Sequence, residues 1–256
     1  MVTSVAWAAT ASFRPNALAT LPPGLTSVLV QLQGPLTVVL AAVFLRNFHQ
    51  AYVSAKAQGL PITADVSINS LMLTDVDIGY FNSSMRVTPP LRQGRDRDAL
   101  RAGLLDGTLD ALVSDHNPVS EDEKTLPFGE ATPGATGVEL LLSLAMKWSG
   151  ADQQDQPAPD KLRQALSVVT QGPVKVLGDA LGSLTHSAGR LVAGGVADIV
   201  MFDPAARWQV QPSALVSQGK HTPFAFESTG FELAGRVRLT LVAGQVAHDA
   251  QDRADA

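Results

Sequence analysis

Cysteine is missing from this chain of 256 residues, and basic residues are fewer than acidic ones. Without cysteine, the chain has no disulfide framework, no cysteine-ligated zinc and no thiolate nucleophile. The 19 Lys and Arg residues against 24 Asp and Glu residues give a net charge of −5. This charge argues against a nucleic-acid binder, because such proteins carry a basic patch or stripe. Histidine, aspartate and a carbamylated lysine remain available as metal ligands.

The first 45 residues almost completely lack charge, because Arg14 is their only charged side chain. Their longest apolar run, LTVVLAAVFL over residues 36–45, has about half the length that a helix needs to cross a membrane. Residues 1–11 contain no basic side chain, although a signal peptide begins with a basic region. We therefore expect neither a membrane anchor nor a targeting segment. The alternatives are a buried strand with a helix, or a stretch without an evolved role.

From residue 47 onward, the sequence pattern predicts two regions of different structure. Up to residue 181, strand-like and helix-like segments alternate, which is typical of an α/β fold. From residue 182, short β segments between turn residues predict a small β-domain. The predicted domain division is 1–46, 47–181, 182–248 and a tail, 249–256. The predicted helices are 47–58, 95–106, 137–148 and 161–169. The predicted strands are 61–66, 111–113, 190–192, 197–202, 207–210 and 235–243. A polar loop is predicted over 121–133, and fraying over 247–256.

Motifs in both regions identify a family. They read VTPPLR at 87–92, VSDHNPVSEDEKTLPF at 113–128, GRLVAGGVADIVMFD at 189–203 and GKHTPF at 219–224. Together they resemble dihydroorotase of the cyclic amidohydrolase family, over about residues 47–248. The resemblance implies an α/β fold: the C-terminal part of a metal-dependent-hydrolase (β/α)8 TIM barrel, followed by a small C-terminal β-sandwich domain. It also implies an active site at the carboxyl ends of the barrel strands, where a metal-activated hydroxide attacks a cyclic amide.

The metal positions of the family are only partly matched. Asp115 matches the aspartate of the final strand, which implies a metal ligand and general base; outside its motif, such a residue is typical of a loop carboxylate that caps the next turn. Asn69 and Ser70 stand where the resemblance places a histidine pair, and an amide oxygen is a poor replacement for imidazole at a transition metal. The family's first half, with a His-x-His pair and a bridging lysine, has no counterpart. Because a two-metal site needs about five or six ligands, we expect no bound cofactor, and zinc only if the chain is active.

The substrate positions are also altered. Thr88 stands where the family has a substrate-binding asparagine, and Val119 stands where many active members carry a second histidine. Arg92, His116 and His221 match family positions that contact substrate. His221 lies in the motif that closes over the active site in the family.

These replacements resemble the non-catalytic dihydroorotase-like branch of the family, which assembles with aspartate carbamoyltransferase. The resemblance then implies a cytoplasmic hetero-oligomer with the catalytic subunit of that enzyme, in pyrimidine biosynthesis, with no nucleic-acid or membrane partner. The alternatives are an active, zinc-dependent dihydroorotase that hydrolyses the cyclic amide of dihydroorotate, and a protein tethered to a membrane by residues 1–45. The uncharged composition of residues 1–45 also predicts a truncated or frameshifted family member, in which native sequence resumes near Asn47.

Overall fold

The computed structural model of the protein describes residues 53–60, 62–153, 157–225 and 231–250. The predictions for residues 1–46, and the first half of the helix predicted over 47–58, lie outside these described residues. Residues 53–57 are helical, and Gly59 follows at a φ of 76°, as is typical of a glycine that ends a helix. In the described part of the chain, no helix combines the length and the apolar character that a membrane crossing requires.

Two short parallel strands form the first sheet. β1 (Asp65–Ser67) pairs with β2 (Ala111–Val113), and Val66 lies opposite Leu112. Both of these side chains are buried. The bounds of β2 are as predicted, whereas the strand predicted over 61–66 is confirmed only in its last two residues and extends to Ser67. Because parallel strands need a long crossover connection, the helices between β1 and β2 follow from this pairing.

Helices connect the two strands and follow them. Ser67 begins the first helix, because its Oγ accepts a hydrogen bond of 3.1 Å from the Asn69 N–H. Pro159 begins another, two residues before the predicted start, since proline is favoured in a first turn. The segment predicted as a polar loop over 121–133 contains one helical turn. The α-helices are α1 (Ile68–Met72), α2 (Gly94–Leu105), α3 (Glu121–Lys124), α4 (Leu141–Ser149), α5 (Pro159–Val169) and α6 (Gln171–Leu177), and the 3-10 helices are Asp75–Ile78, Ser83–Met85, Val138–Leu140, Gly178–His186 and Pro212–Ala214.

Three antiparallel strands form the second sheet, in the order β3 (Ile199–Gln209), β4 (Glu232–Val242) and β5 (Gln245–Asp249). β3 joins the two strands predicted at 197–202 and 207–210. Its pairing with β4 is interrupted by a register shift between Asp203 and Arg207. This shift accommodates Pro204, which has no N–H for the ladder and is tolerated at such irregularities.

Two predictions for this region are wrong. The segment 190–192 is not a strand; Leu191 is exposed, and Gly189 and Gly194 on either side adopt positive φ angles that break extended backbone. The fraying predicted from residue 247 overlaps β5, where Thr240 lies opposite His248 and Leu239 opposite Asp249. The domain boundaries themselves stay predictions.

Helix α4 joins the helical part to the second sheet. Its Ser143 Oγ donates to the carbonyl oxygen of Gly235 in β4 and accepts from Trp208 Nε1 in β3, both at 3.3 Å. A side chain at Gly235 would place its Cβ 2.6 Å from Met146 Sδ, so glycine is required for this close packing. The shared hydrophobic core includes Val66, Leu112, Leu144, Met146 and Leu233.

Candidate functional site

A serine and an aspartate lie together at the carboxyl ends of the two parallel strands. Ser67 is the last residue of β1, and Asp115 follows β2 by two residues. The Ser67 Oγ donates a hydrogen bond of 3.0 Å to Asp115 Oδ2. Asp115 has a φ of 49°, in the left-handed region that side chains with a Cβ rarely adopt. Such backbone strain is typical of functional sites, and the hydrogen bond helps to fix the carboxylate there.

Asn69 and Ser70 lie in α1, directly after Ser67. Asn69 is 2% exposed and Ser70 is 5% exposed, so two small neutral side chains are buried at the positions where the resemblance places metal-binding histidines. The backbone carbonyl of Asn69 accepts from the Leu73 N–H at 3.0 Å, as expected inside a helix. Asn69 thus lies two residues after Ser67, the partner of Asp115, and its side chain is neutral.

The ring of His116 is held by backbone groups from another loop. Its Nδ1 accepts from the Gly137 N–H at 3.2 Å and from the Val138 N–H at 3.4 Å. An Nδ1 that accepts carries no proton, so the proton of the neutral ring lies on Nε2. Gly137 is required for this approach, because a Cβ at that position would stand 2.3 Å from the Ser114 carbonyl oxygen. His116 thus presents Nε2 as a donor from an exposed position.

A buried lysine joins the loop after β1 to the loop after β2. Lys124, at the end of α3, is 2% exposed. Its Nζ donates to the carbonyl oxygens of Ser83 at 3.1 Å and Arg86 at 2.9 Å, and the Ser83 hydroxyl donates back to the Lys124 carbonyl oxygen. Burial, with a smaller contribution from the charge of Arg86, lowers the pKa of Lys124 to about 8. Lys124 lies inside the motif at 113–128, but no signal in the sequence shows that this lysine is buried.

His221 lies beside this lysine. Its backbone carbonyl accepts from the Thr136 N–H at 2.8 Å, and the Thr136 hydroxyl donates to Gly219 O. Burial lowers the pKa of His221, and the charge of Lys124 lowers it further, against an opposing effect of Glu121. The motif at 219–224 is therefore fixed at Thr136, next to the Gly137 N–H that binds His116.

The two remaining predicted substrate residues are exposed. Thr88 precedes Pro89, and Arg92 lies just before α2, where its Nε is 3.6 Å from an Asp96 carboxylate oxygen. Among the described residues, no recorded contact joins either of them to Asp115. Their roles as substrate contacts stay predictions.

The side chains at this site do not fit a zinc centre. Of the residues the structure describes, no three or more His, Cys, Asp and Glu side chains are grouped closely enough to hold a metal ion. The His116 Nδ1 is occupied by two amide donors, and Asn69 contributes a neutral side chain. Zinc in proteins takes three or four nitrogen, sulfur or carboxylate ligands, and Asp115 alone supplies one. We therefore derive no chemical step through a metal.

One member of the site could have been found in the sequence and another could not. Ser67 and Asp115 both follow predicted strands, and the carboxyl ends of parallel strands meet at one edge, so their proximity could have been predicted. The role of Glu139 could not have been predicted. Its carboxylate accepts from the Val216 and Ser217 N–H groups, which are distant in sequence, at 2.8 and 2.9 Å. Contacts across 77 residues have no local sequence signal.

Comparison with known proteins finds relatives of one kind. No protein-family model matches the chain. A dihydroorotase from Anaeromyxobacter dehalogenans (strain 2CP-1) is 38% identical over 208 residues, which are 80% of this chain and 44% of that protein. A dihydroorotase-like protein from Pseudomonas putida is 40% identical over 199 residues, 78% of this chain and 43% of that protein. A dihydroorotase-like protein from Pseudomonas aeruginosa is 38% identical over 195 residues, which are 76% of this chain and 42% of that protein.

Solved structures agree on the fold. A D-hydantoinase (dihydropyrimidinase) from Thermus sp. superimposes with a TM-score of 0.63 at 24% identity, over 78% of this chain and 42% of that one. An L-hydantoinase (dihydropyrimidinase) from Arthrobacter aurescens gives a TM-score of 0.63 at 21% identity, over 82% of this chain and 48% of that one. The predicted fold class, part of a metal-dependent-hydrolase barrel with a small β-domain, is confirmed. The chain spans less than half the length of the curated relatives described above.

Proposed function

Because the chain is a homologue of the dihydroorotases, within the cyclic amidohydrolase family, we propose that it is a dihydroorotase-like protein of de novo pyrimidine biosynthesis. In this proposal it acts in the cytoplasm without catalysis, as a structural partner of the catalytic subunit of aspartate carbamoyltransferase. The activity, the partner and the pathway of the chain are all part of the proposal, since it matches well under half of each relative.

The observation that carries the proposal is the chemistry at the carboxyl ends of β1 and β2. Asp115 is present, but the helix beside it buries Asn69 and Ser70 where the resemblance requires two histidines. Neutral imidazole donates a strong lone pair to zinc, whereas amide and hydroxyl oxygens favour harder cations such as Mg²⁺ and Ca²⁺. Loss of these ligands removes the means to lower the pKa of a water molecule, on which this type of hydrolysis depends.

What remains of the site supports a scaffold. Lys124, His116 and Glu139 each bind backbone groups of a neighbouring loop. The Lys124 bond joins the loops that follow β1 and β2, and the other bonds fix the segment 137–139 to His116 and to residues 216–217. A surface fixed in this way is suited to binding a protein partner, because little conformational entropy is lost on association.

The alternative is an active, zinc-dependent dihydroorotase. It is favoured by the position of Asp115, whose carboxylate stands where the family's general base would act, on strained backbone. It requires further ligands from outside the described residues. In this case, Asp115 is the ligand that the described part of the chain would contribute to the metal site.

One experiment separates the two functions. The zinc content and dihydroorotate hydrolysis of the purified full chain are measured alone and after mixing with the catalytic chain of aspartate carbamoyltransferase from the same organism. The proposal expects no stoichiometric zinc, no turnover, and co-elution with a rise in transcarbamoylase activity. Stoichiometric zinc with turnover that Asp115→Ala abolishes, while the matched exposed variant Asp160→Ala leaves it intact, would establish the alternative. Absence of both turnover and co-elution would contradict both functions.

A further inference from the structure

The segment after α1 exposes large apolar side chains. Val76 is 81% exposed, Phe81 is 72% exposed, and Tyr80 is fully exposed. Leu126, in the loop after α3, is also exposed. We call these four residues the apolar ridge. Large apolar side chains that are grouped and exposed are typical of interaction sites, whereas single ones are ordinary on a protein surface.

The ridge has a defined backbone. The 3-10 helix Asp75–Ile78 begins with a cap in which Asp77 Oδ2 accepts from the Thr74 N–H at 2.6 Å and from the Thr74 hydroxyl at 2.8 Å. Phe81 then adopts a φ of 59°, a conformation that is uncommon for a bulky side chain. A strained residue with an exposed ring indicates that the conformation is maintained for a purpose other than burial of that ring.

A ring contact joins the two loops that carry the ridge. The Phe81 and Phe128 rings meet edge to face, with centroids 5.9 Å apart. The Arg86 guanidinium stands 5.7 Å from the Phe128 centroid, and its Nη1 donates to the Phe128 carbonyl oxygen at 2.8 Å. Residue 81 of the segment 75–81 and residue 128 of the segment 126–128 are therefore in contact.

Acidic side chains flank the ridge residues in sequence. They are all exposed and lie in the same two loops: Asp75, Asp77, Glu121, Asp122, Glu123 and Glu130. Basic side chains are fewer there: Arg92 is exposed and its carbonyl oxygen accepts from the Asp75 N–H, whereas Lys124 is buried and Arg86 is bound to Phe128. The two loops thus expose four apolar side chains together with an excess of acidic ones, which form the rim of the ridge in this proposal. This is the arrangement of a protein-binding site, with aromatic anchors inside a polar rim.

We propose that the apolar ridge is the docking surface for a protein partner that carries an apolar pocket rimmed by Lys and Arg. The inference rests on the proposed function, in which this partner is the catalytic chain of aspartate carbamoyltransferase. Charge complementarity favours such a partner. The same negative rim repels nucleic acid, anionic lipid and a second copy of this chain, whose own rim is equally acidic.

The test is association of the full chain with the catalytic chain of aspartate carbamoyltransferase from the same organism, measured by calorimetry. Tyr80→Ser and Val76→Ser weaken the association at least about tenfold each, as expected for central contacts. The matched controls Leu191→Ser and Val246→Ser, which remove exposed apolar side chains elsewhere, change it by less than about twofold. Because all four side chains are exposed, the variants keep the melting temperature of the unmodified chain. Association also weakens as salt is raised from about 50 to about 300 mM, since the rim charges are screened.

Three results would overturn the inference, and they are distinguishable. Association of the unmodified chain that Tyr80→Ser and Val76→Ser leave intact would contradict the docking surface and leave the proposed function standing. Failure of the unmodified chain to associate would contradict both. Self-association of the chain alone, lost in Tyr80→Ser, would assign the ridge to a second copy of this chain.

Discussion

The Ser67 Oγ donates to Asp115 Oδ2 at 3.0 Å, and Ser67 Oγ also accepts from the Asn69 N–H at 3.1 Å. One side chain therefore begins α1 and restrains the carboxylate that follows β2. Asp115 is 48 residues away in sequence, so this bond also joins the two strands at the edge where a barrel enzyme places its chemistry.

Replacement of Ser67 by alanine removes both bonds. We expect Ser67→Ala to lower the free energy of unfolding by about 1 to 2 kcal/mol, because a helix cap and a hydrogen bond to a charged group are lost together. Urea denaturation measures this loss. Ser67→Thr keeps the hydroxyl and is expected to stay close to the unmodified chain; equal destabilisation by both variants would contradict the assigned bonds.

Lys124 makes the stability of the protein depend on pH. Its pKa is about 8 in the folded chain, against about 10.4 in an unfolded chain. The unfolded state therefore binds more protons between these values, and the free energy of unfolding rises with pH, by on the order of 3 kcal/mol at most. Denaturation at pH 7 and pH 10 measures the rise. Lys124→Met is expected to lack this increment, and an unchanged pH dependence in that variant would contradict the prediction.

The buried carboxylate of Asp110 forms an ion cluster with two partly exposed lysines. Its carboxylate accepts from Lys56 Nζ and Lys175 Nζ, each at 2.7 Å, and from the Ala64 N–H at 3.1 Å. Burial acts to raise the pKa of Asp110, but the bonds from Lys175, Lys56 and Ala64 outweigh it and hold the pKa below its ordinary value. The cluster therefore stabilises the fold above about pH 4, and its contribution is lost as the pH falls through the lowered pKa.

For this cluster, we expect Asp110→Asn to cost about 2 kcal/mol at pH 7, since the partly hydrated lysines lose their counter-charge. The loss of stability on acidification is correspondingly smaller in Asp110→Asn than in the unmodified chain. Lys175→Met serves as the comparison, because Lys175 is 65% exposed, and it should cost less than about 1 kcal/mol. Thermal unfolding between pH 3 and pH 7 tests both expectations; equal losses in the two variants would refute the ranking.

Gly172 permits helix α6 to pack on the entry to β2. A Cβ at this position would stand 2.2 Å from the Asp110 carbonyl oxygen, so Gly172→Ala forces backbone to move and is expected to cost about 2 to 3 kcal/mol. Gly94→Ala is the matched control, because its Cβ would meet no atom within 4 Å and the change is expected to stay within about 0.5 kcal/mol. The denaturation midpoints of the two variants, compared at constant m-value, measure these losses of stability.

The elements that could be predicted are those with strong local signals. The β2 bounds are set by three apolar residues between Asp110 and Ser114, and α2 was predicted within one residue because Gly107 ends the pattern. β3 was divided in two because Pro204 interrupts it in sequence, although a register shift lets the strand continue. The segment 190–192 has the composition of a strand but is not one. A strand also needs a neighbouring strand to pair with, and composition does not show whether one is present.

For the site, identity was more predictable than environment. The motif around Asp115 located the carboxylate, and the absence of histidine at Asn69 was evident from the sequence. The partners of these residues were not, because the bonds from Ser67 to Asp115 and from Gly137 to His116 depend on how distant segments fold. Burial of Lys124 is likewise a property of the packed loops, and lysine is rarely buried in proteins.

The hydroxyl of Ser143 has a consequence for how the protein opens. It accepts from Trp208 and donates to Gly235, so two strands of the second sheet are anchored to one atom of α4. Separation of the sheet from the helix breaks both bonds at once and exposes the indole to water. Amide hydrogens of α4 and of the paired part of β3 and β4 should then exchange with solvent as one cooperative unit. In a variant whose two other tryptophans are replaced by phenylalanine, the fluorescence of Trp208 would report this opening.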